Sequence, residues 1–132
     1  MREDIKINLV IIISLLLSVH LIILTAKNDA ERTAGKILRV KDDLESISEG
    51  IENFHAVYNE YPVSLEEKRF ARFVRGISVR DPFDPEKNYR YRKGGRTWKL
   101  YSVGPNRTDD GGVNWRKGEI ILLDIVIERE KK

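Results

Sequence analysis

Hydrophobic and polar residues follow three different patterns along this chain. From Ile7 to Ala26, bracketed by Lys6 and Lys27, run twenty uncharged and mostly aliphatic residues. At 1.5 Å per residue a helix of that length covers about 30 Å, the depth of a bilayer hydrocarbon core. Ser14, Ser18 and Thr25 are tolerable there because a helix lets hydroxyls bond back to its own carbonyls. A signal peptide would have a shorter apolar region of about 7–15 residues. Leu24-Thr25-Ala26 is also a poor cleavage site, so the run reads as an uncleaved anchor. Residues 1–6 form a short tail before it, and residues 27–132 a separate domain.

The second pattern begins at Ile37. Apolar residues recur at Ile37, Val40, Leu44, Ile47, Ile51, Phe54, Tyr58 and Tyr61, in alternating steps of three and four. That is the period of one helical face. No proline interrupts residues 1–61, so anchor and stripe read as one helix, which Pro62 stops. Gly35 and Gly50 are weak points, each costing about 1 kcal/mol against alanine. A coiled coil and a sheet compete as partners for the stripe. Lys41, Ser48 and His55 on one flank do not pair with Asp43, Gly50 and Val57 on the other, as coiled-coil flanks do. His55 and Val57 instead widen the apolar face, which suits a broad surface. The stripe is therefore expected to lie on a sheet, with His55 at its half-buried edge.

Ser64 and Glu67 have the spacing of a capping box, which predicts a short helix over about 65–75 with Leu65, Phe70, Phe73 and Val74 turned inward. Asp81-Pro82-Phe83-Asp84-Pro85 is a stiff turn. The third pattern, with period two, follows. Tyr89 and Tyr91 alternate with Arg90 and Arg92, Gly94-Gly95 turns the chain, and Thr97–Val103 returns with Trp98 and Leu100 on one face. After a loop over Gly104–Lys117, Glu119–Glu128 forms a last strand with Ile121, Leu123, Ile125 and Ile127 on one face. The fold class is α+β: a long N-terminal helix, membrane span continuing into amphipathic spine, packed on a small antiparallel sheet of about three strands.

These parts, in this order, resemble a type IV pilin-like protein, and within that class the major pseudopilin of type II secretion. The resemblance rests on Asn59-Glu60-Tyr61-Pro62 at the end of the spine and on the Asp81-Pro82-Phe83 turn. Further along it rests on Asn88-Tyr89-Arg90-Tyr91-Arg92, Tyr101-Ser102-Val103-Gly104, and Asp109-Asp110-Gly111-Gly112 with Asn114-Trp115. It covers about residues 40–115. It implies a non-enzymatic, single-pass subunit or accessory of a type II secretion or pilus-like machine in the cytoplasmic (inner) membrane. The domain would lie outside the cytoplasm, with like or related pilin-like subunits as partners. The chain departs from the family at its processing motif. No glycine precedes Gly35, and Glu3 and Asp4 precede the apolar run instead of lying within it. A prepilin peptidase is not expected to cut it.

Length and composition narrow the alternatives. Of 132 residues, 41% are hydrophobic and 34% charged, and the mean hydropathy of −0.42 excludes a multispan protein. About 105 residues follow the anchor, enough for one lean core. The absence of cysteine removes disulfides, thiol nucleophiles and Cys-ligated zinc. Two histidines, His20 and His55, leave little for a triad or a His-rich metal site. No P-loop, dinucleotide fingerprint or hydrolase elbow occurs, so neither an enzyme nor a small-molecule substrate is expected.

Charge is unevenly placed. Residues 28–67 carry ten acidic and four basic side chains, residues 68–99 three acidic and eleven basic. The basic hairpin would suit the acidic spine of a neighbouring subunit. In the alternative reading, the chain is a membrane-tethered extracytoplasmic binding module holding an acidic partner. Nucleic acid is not expected for an anchored chain with ordinary hairpin aromatics. Lys27, Arg32, Lys36, Arg39 and Lys41 after the span outnumber Arg2 and Lys6 before it. Counted alone, that places the domain in the cytoplasm, against the resemblance.

One loop is a candidate metal site. Calcium takes six to eight oxygens from a flexible loop, and the corresponding loop of major pseudopilins holds calcium. The resemblance thus implies Ca2+ at Asp109 and Asp110, with help from the Val103 carbonyl. The other reading is an Asp/Gly turn held by Asx hydrogen bonds, with Asp109 as the Asx residue.

Overall fold

The computed structural model describes residues 2–112 and 125–129. The chain divides into two units, Met1–Gly35 and Lys36–Lys132. Helix α1 (Arg2–Tyr58) contributes to both. In the first unit its aliphatic side chains from Ile5 to Leu24 are exposed all round. Two of its hydroxyls are satisfied within the helix: Ser18 Oγ donates to the Ser14 carbonyl at 2.8 Å and Thr25 Oγ1 to that of Ile22 at 2.9 Å. This is the one helix among the described residues long and apolar enough to cross a membrane.

In the second unit the stripe does what its period requires. Val40, Leu44, Ile47, Ile51 and Phe54 are fully buried, and Ile37 and Tyr58 pack at the ends of the row. The helix stops at Tyr58, earlier than Pro62 would enforce. Asn59 takes the left-handed conformation (φ 56°) and donates its N–H to the His55 carbonyl at 2.8 Å. Asparagine tolerates that conformation better than most residues, and it closes the last turn. Tyr61 is buried from outside the helix, its ring stacked on His55 at 4.3 Å. His55 is half-buried as expected, but Val57 is 59% exposed and adds nothing to the core.

The expected helix over 65–75 is replaced by turns and a single 3-10 turn, Ala71–Val74. Leu65, Phe70 and Val74 are all buried, with Phe73 packed beside them. A regular helix would turn Leu65 and Phe70 about 140° apart, so both could not reach one core. Glu67 does reach back, to the Val63 N–H at 2.9 Å. Gly50 admits this segment: a Cβ there would meet the Phe73 carbonyl oxygen and Val74 Cγ1, both at 3.0 Å.

Strands β1 (Arg80–Asp81) and β2 (Asp84–Asn88) pair antiparallel around Pro82-Phe83. Strands β3 (Arg90–Gly94), β4 (Thr97–Ser102) and β5 (Ile125–Arg129) form a three-stranded antiparallel sheet with β4 central. The β3–β4 turn is Gly95-Arg96, one residue later than Gly94-Gly95, because Gly94 pairs with Thr97. Gly95 supplies the positive φ (54°) there. Strand β5 pairs with β4 from Ser102↔Ile125 to Trp98↔Arg129. The expected positions Glu119–Asp124, and residues 113–117 of the loop, lie outside the described residues. Trp98 and Leu100 are buried on one face of β4, and Tyr101 on the other is buried too. The sheet is covered on both sides there.

Candidate functional surface

The acidic spine and the basic hairpin meet first within the chain. Tyr89 donates its hydroxyl to Asp43 Oδ2 and Trp98 its Nε1–H to Glu52 Oε1, both at 2.8 Å. Tyr91 donates to the Pro62 carbonyl at 3.1 Å, and Lys93 Nζ to that of Tyr61 at 2.9 Å. These four bonds tie both hairpin strands to the helix and its exit. Burial, reinforced by the Asp43 carboxylate, pushes the Tyr89 hydroxyl far above the usual tyrosine range; burial does the same to Tyr91. Asp43 and Glu52 are thereby used internally. Asp42, Glu45 and Glu49 stay exposed, with no ion pair among the described residues. They recur at helical spacing, so they form one acidic stripe away from the core.

Asp81 is the most buried carboxylate among the described residues. Its Oδ1 accepts from the Phe83 N–H at 2.9 Å and the Ser102 hydroxyl at 2.8 Å, and its Oδ2 from the Val103 N–H at 3.0 Å. Ser102 Oγ in turn accepts from the Gly104 N–H at 3.1 Å. Asp81-Pro82-Phe83 and Tyr101-Ser102-Val103-Gly104, two separate pieces of sequence, are thus the two halves of one buried polar lock.

The 104–112 loop packs against the outer face of β4. Asp109 Oδ1 accepts from the Tyr101 hydroxyl at 2.9 Å and the Gly111 N–H at 3.0 Å, the latter an Asx turn. Its Oδ2 lies 3.6 Å from Arg90 Nε, and Arg90 is also bridged to Asp84. Partial burial works to raise the Asp109 carboxyl. The Gly111 and Tyr101 donors and the Arg90 charge outweigh it and hold the carboxyl below its usual value. Asp110 Oδ2 accepts from the Asn106 amide at 2.8 Å. Gly112 (φ 74°) lies so close that a Cβ would meet Lys99 Cδ at 2.7 Å.

This arrangement bears on the calcium expectation. Among the described residues no three His, Asp or Glu side chains converge. Val103 directly precedes the loop, and its N–H is bonded to Asp81 of β1. The Asp109 and Asp110 oxygens accept from Tyr101, Gly111 and Asn106, and Arg90 lies beside Asp109. As folded, Asp109 forms an Asx turn and protein donors meet both carboxylates.

Two features were not read from the sequence pattern. Arg69 and Arg72 stack over Tyr58 at 4.9 and 5.3 Å, and Arg69 is tied to Glu60 and Glu67. A groove of about 460 Å³ opens between the end of α1 and the β3–β4 turn, lined by His55, Asn59, Glu60, Tyr61, Lys93, Gly95 and Arg96. Only the alternation of basic and aromatic residues around Tyr89–Trp98 hinted at a surface of this kind. In comparisons with protein-family models, curated proteins and solved structures, none matches this chain.

Proposed function

We propose that the chain is a non-enzymatic, membrane-anchored subunit of a type II secretion or type IV pilus-like machine. Its domain is held outside the cytoplasm, and it works by association with like or related chains. The observation that carries this is the uncovered aliphatic surface from Ile5 to Leu24. A surface of that extent needs lipid or other apolar helices around it. The lock at Asp81 adds support, since it gives two pieces of the pilin-like resemblance one structural purpose. The exposed stripe of Asp42, Glu45 and Glu49 offers the basic hairpin of a second subunit a complementary face.

Because the chain has no cysteine, single-cysteine variants at positions 12–19 test association without background. In membranes containing the full chain, disulfide-linked dimers are expected at positions on one helical face. No cross-linking at any of the eight positions would remove the assembly reading and leave only an anchor. A reporter fused after Lys132 tests the orientation. Activity of a reporter that works only in the cytoplasm would reverse the placement of the domain.

A further inference from the structure

We propose that copies of this chain contact one another through Arg72 and Arg75 of one copy and the Asp42, Glu45 and Glu49 stripe of the next. This rests on the subunit reading and names the groups that meet. Within the basic stretch 68–99, they come from the 3-10 segment that precedes the hairpin.

The hairpin's own cations are mostly held within the chain. Arg90 bridges Asp84 and lies 3.6 Å from Asp109. Lys93 donates to the Tyr61 carbonyl, Lys99 to that of Gly112, and Arg92 lies over the Tyr101 ring. Arg72 and Arg75 are exposed and have no ion pair among the described residues. They are three residues apart at the 3-10 turn Ala71–Val74. Side chains at that spacing eclipse one another, about 6 Å apart along the axis, so the two form a row. The Arg72 guanidinium lies 5.3 Å from the Tyr58 ring centre and 4.8 Å from that of Phe73. Stacking uses the face of a guanidinium and leaves its N–H groups for a carboxylate. It also orders the side chain before any partner arrives, which lowers the cost of association.

The acidic stripe has the same measure. Glu45 and Glu49 are one helical turn apart, about 6 Å along the axis of α1, with Asp42 about 4.5 Å before Glu45. All three are exposed, on the side of α1 opposite the buried row of Val40, Leu44, Ile47 and Ile51. Leu38, 64% exposed, stands one turn before Asp42 on that same side, an apolar neighbour for the contact to cover. Arg72, by contrast, lies over Tyr58, which packs at the end of the buried row. The unanswered acids and the unanswered bases thus sit on different surfaces of one chain. Opposite sign and equal spacing make a second copy the occupant of the stripe. A contact between unlike surfaces repeats from copy to copy.

The test uses the full chain in membranes as two differently tagged copies, one Asn53→Cys and the other Ala71→Cys. Both positions are exposed, one beside each patch. Oxidation is expected to give a mixed-tag dimer, with a yield that falls in high salt. Arg72→Gln with Arg75→Gln in the second copy should lower the yield about tenfold, the loss of about one charge-assisted contact. Exchanging the charges should restore it: Arg72→Glu and Arg75→Glu in that copy, Glu45→Arg and Glu49→Arg in the other. Arg96→Gln, at the hairpin turn, should leave the yield nearly unchanged. The proposal is overturned if no mixed-tag dimer forms, if its yield is insensitive to salt and to the glutamine pair, or if Arg96→Gln lowers it as much. Cross-linking at positions 12–19 separates the two readings. Span cross-links without the 53–71 link overturn this contact and keep the subunit reading, whereas absence of both removes the two together.

Discussion

The two ends of α1 are both rich in aliphatic residues, yet they treat them in opposite ways. In the first unit Leu16 is 64% exposed and its neighbours are similar; in the second Leu44 is fully buried. The difference lies in arrangement. Around the first segment apolar residues occupy every side, so no single partner surface could cover them. Along the second they occupy one stripe, and the opposite side carries Asp42, Glu45 and Glu49. A helix that is apolar all round suits lipid, whereas a striped one suits one protein surface and water on the other. The hydroxyls follow the same logic. Ser18 and Thr25 turn their hydroxyls inward to their own helix, while Asp43 and Glu52 reach across to Tyr89 and Trp98.

Substitutions matched between the two ends sharpen this contrast. The largest effect is expected from Phe54→Ala, which leaves a cavity beside Tyr58, Phe70 and Phe73. It should lower domain stability by about 3–5 kcal/mol, read by thermal melting, with membrane association intact. Leu16→Arg should do the reverse. It places a charge at mid-span, costing about 2.5–3.5 kcal/mol of insertion, read as loss from the membrane fraction with unchanged domain melting. If Leu16→Arg melts the domain, the two ends are not energetically separate.

The glycines make a finer test. Gly35 has open space around its Cβ position, so Gly35→Ala should strengthen the helix by about 1 kcal/mol, read as slower amide exchange around it. Gly50→Ala gains the same propensity but drives a methyl into the Phe73 carbonyl and Val74. Overpacking of that kind costs about 1–3 kcal/mol, so the net change should lower the melting temperature. Equal signs for the two would show that the 3-10 segment yields easily.

The smallest effect concerns Asp109. Its carboxyl is held below the usual range, so its stabilisation is complete above the ordinary carboxylate pKa and is lost as pH falls through the depressed one. Asp109→Asn should therefore melt below the parent chain at neutral pH, with the gap closing in acid. A gap that persists at the lowest pH would assign the effect to shape instead of charge.

The candidate surface was only partly legible in the sequence. Asp109 and Asp110 stood out as adjacent acids beside two glycines, and the Asx turn at Asp109 was readable from residue type. Their partners were not. Tyr101 and Arg90 come to Asp109 from β4 and β3, and nothing in the spacing links them to the loop. Asp81 gave even less notice, because an Asp-Pro turn looks the same whether its carboxylate faces water or three buried donors. The groove needed the helix to end at Asn59 and the hairpin to turn at Gly95-Arg96. Both boundaries depend on backbone conformations that residue type favours but does not dictate.

By itself the amino-acid order determined the apolar run long enough to cross a membrane, the buried stripe, the pairing of the hairpin strands and the α+β class. Each is written in a local period or an unbroken run, and water or lipid acts on those directly. The tertiary structure alone decided that residues 65–75 give up a helix, that Gly50 is a contact point, and that both faces of β4 are covered. Those outcomes follow from competition among distant groups for one small core. Leu65, Phe70 and Val74 can all enter it only if the chain between them abandons the regular helical period.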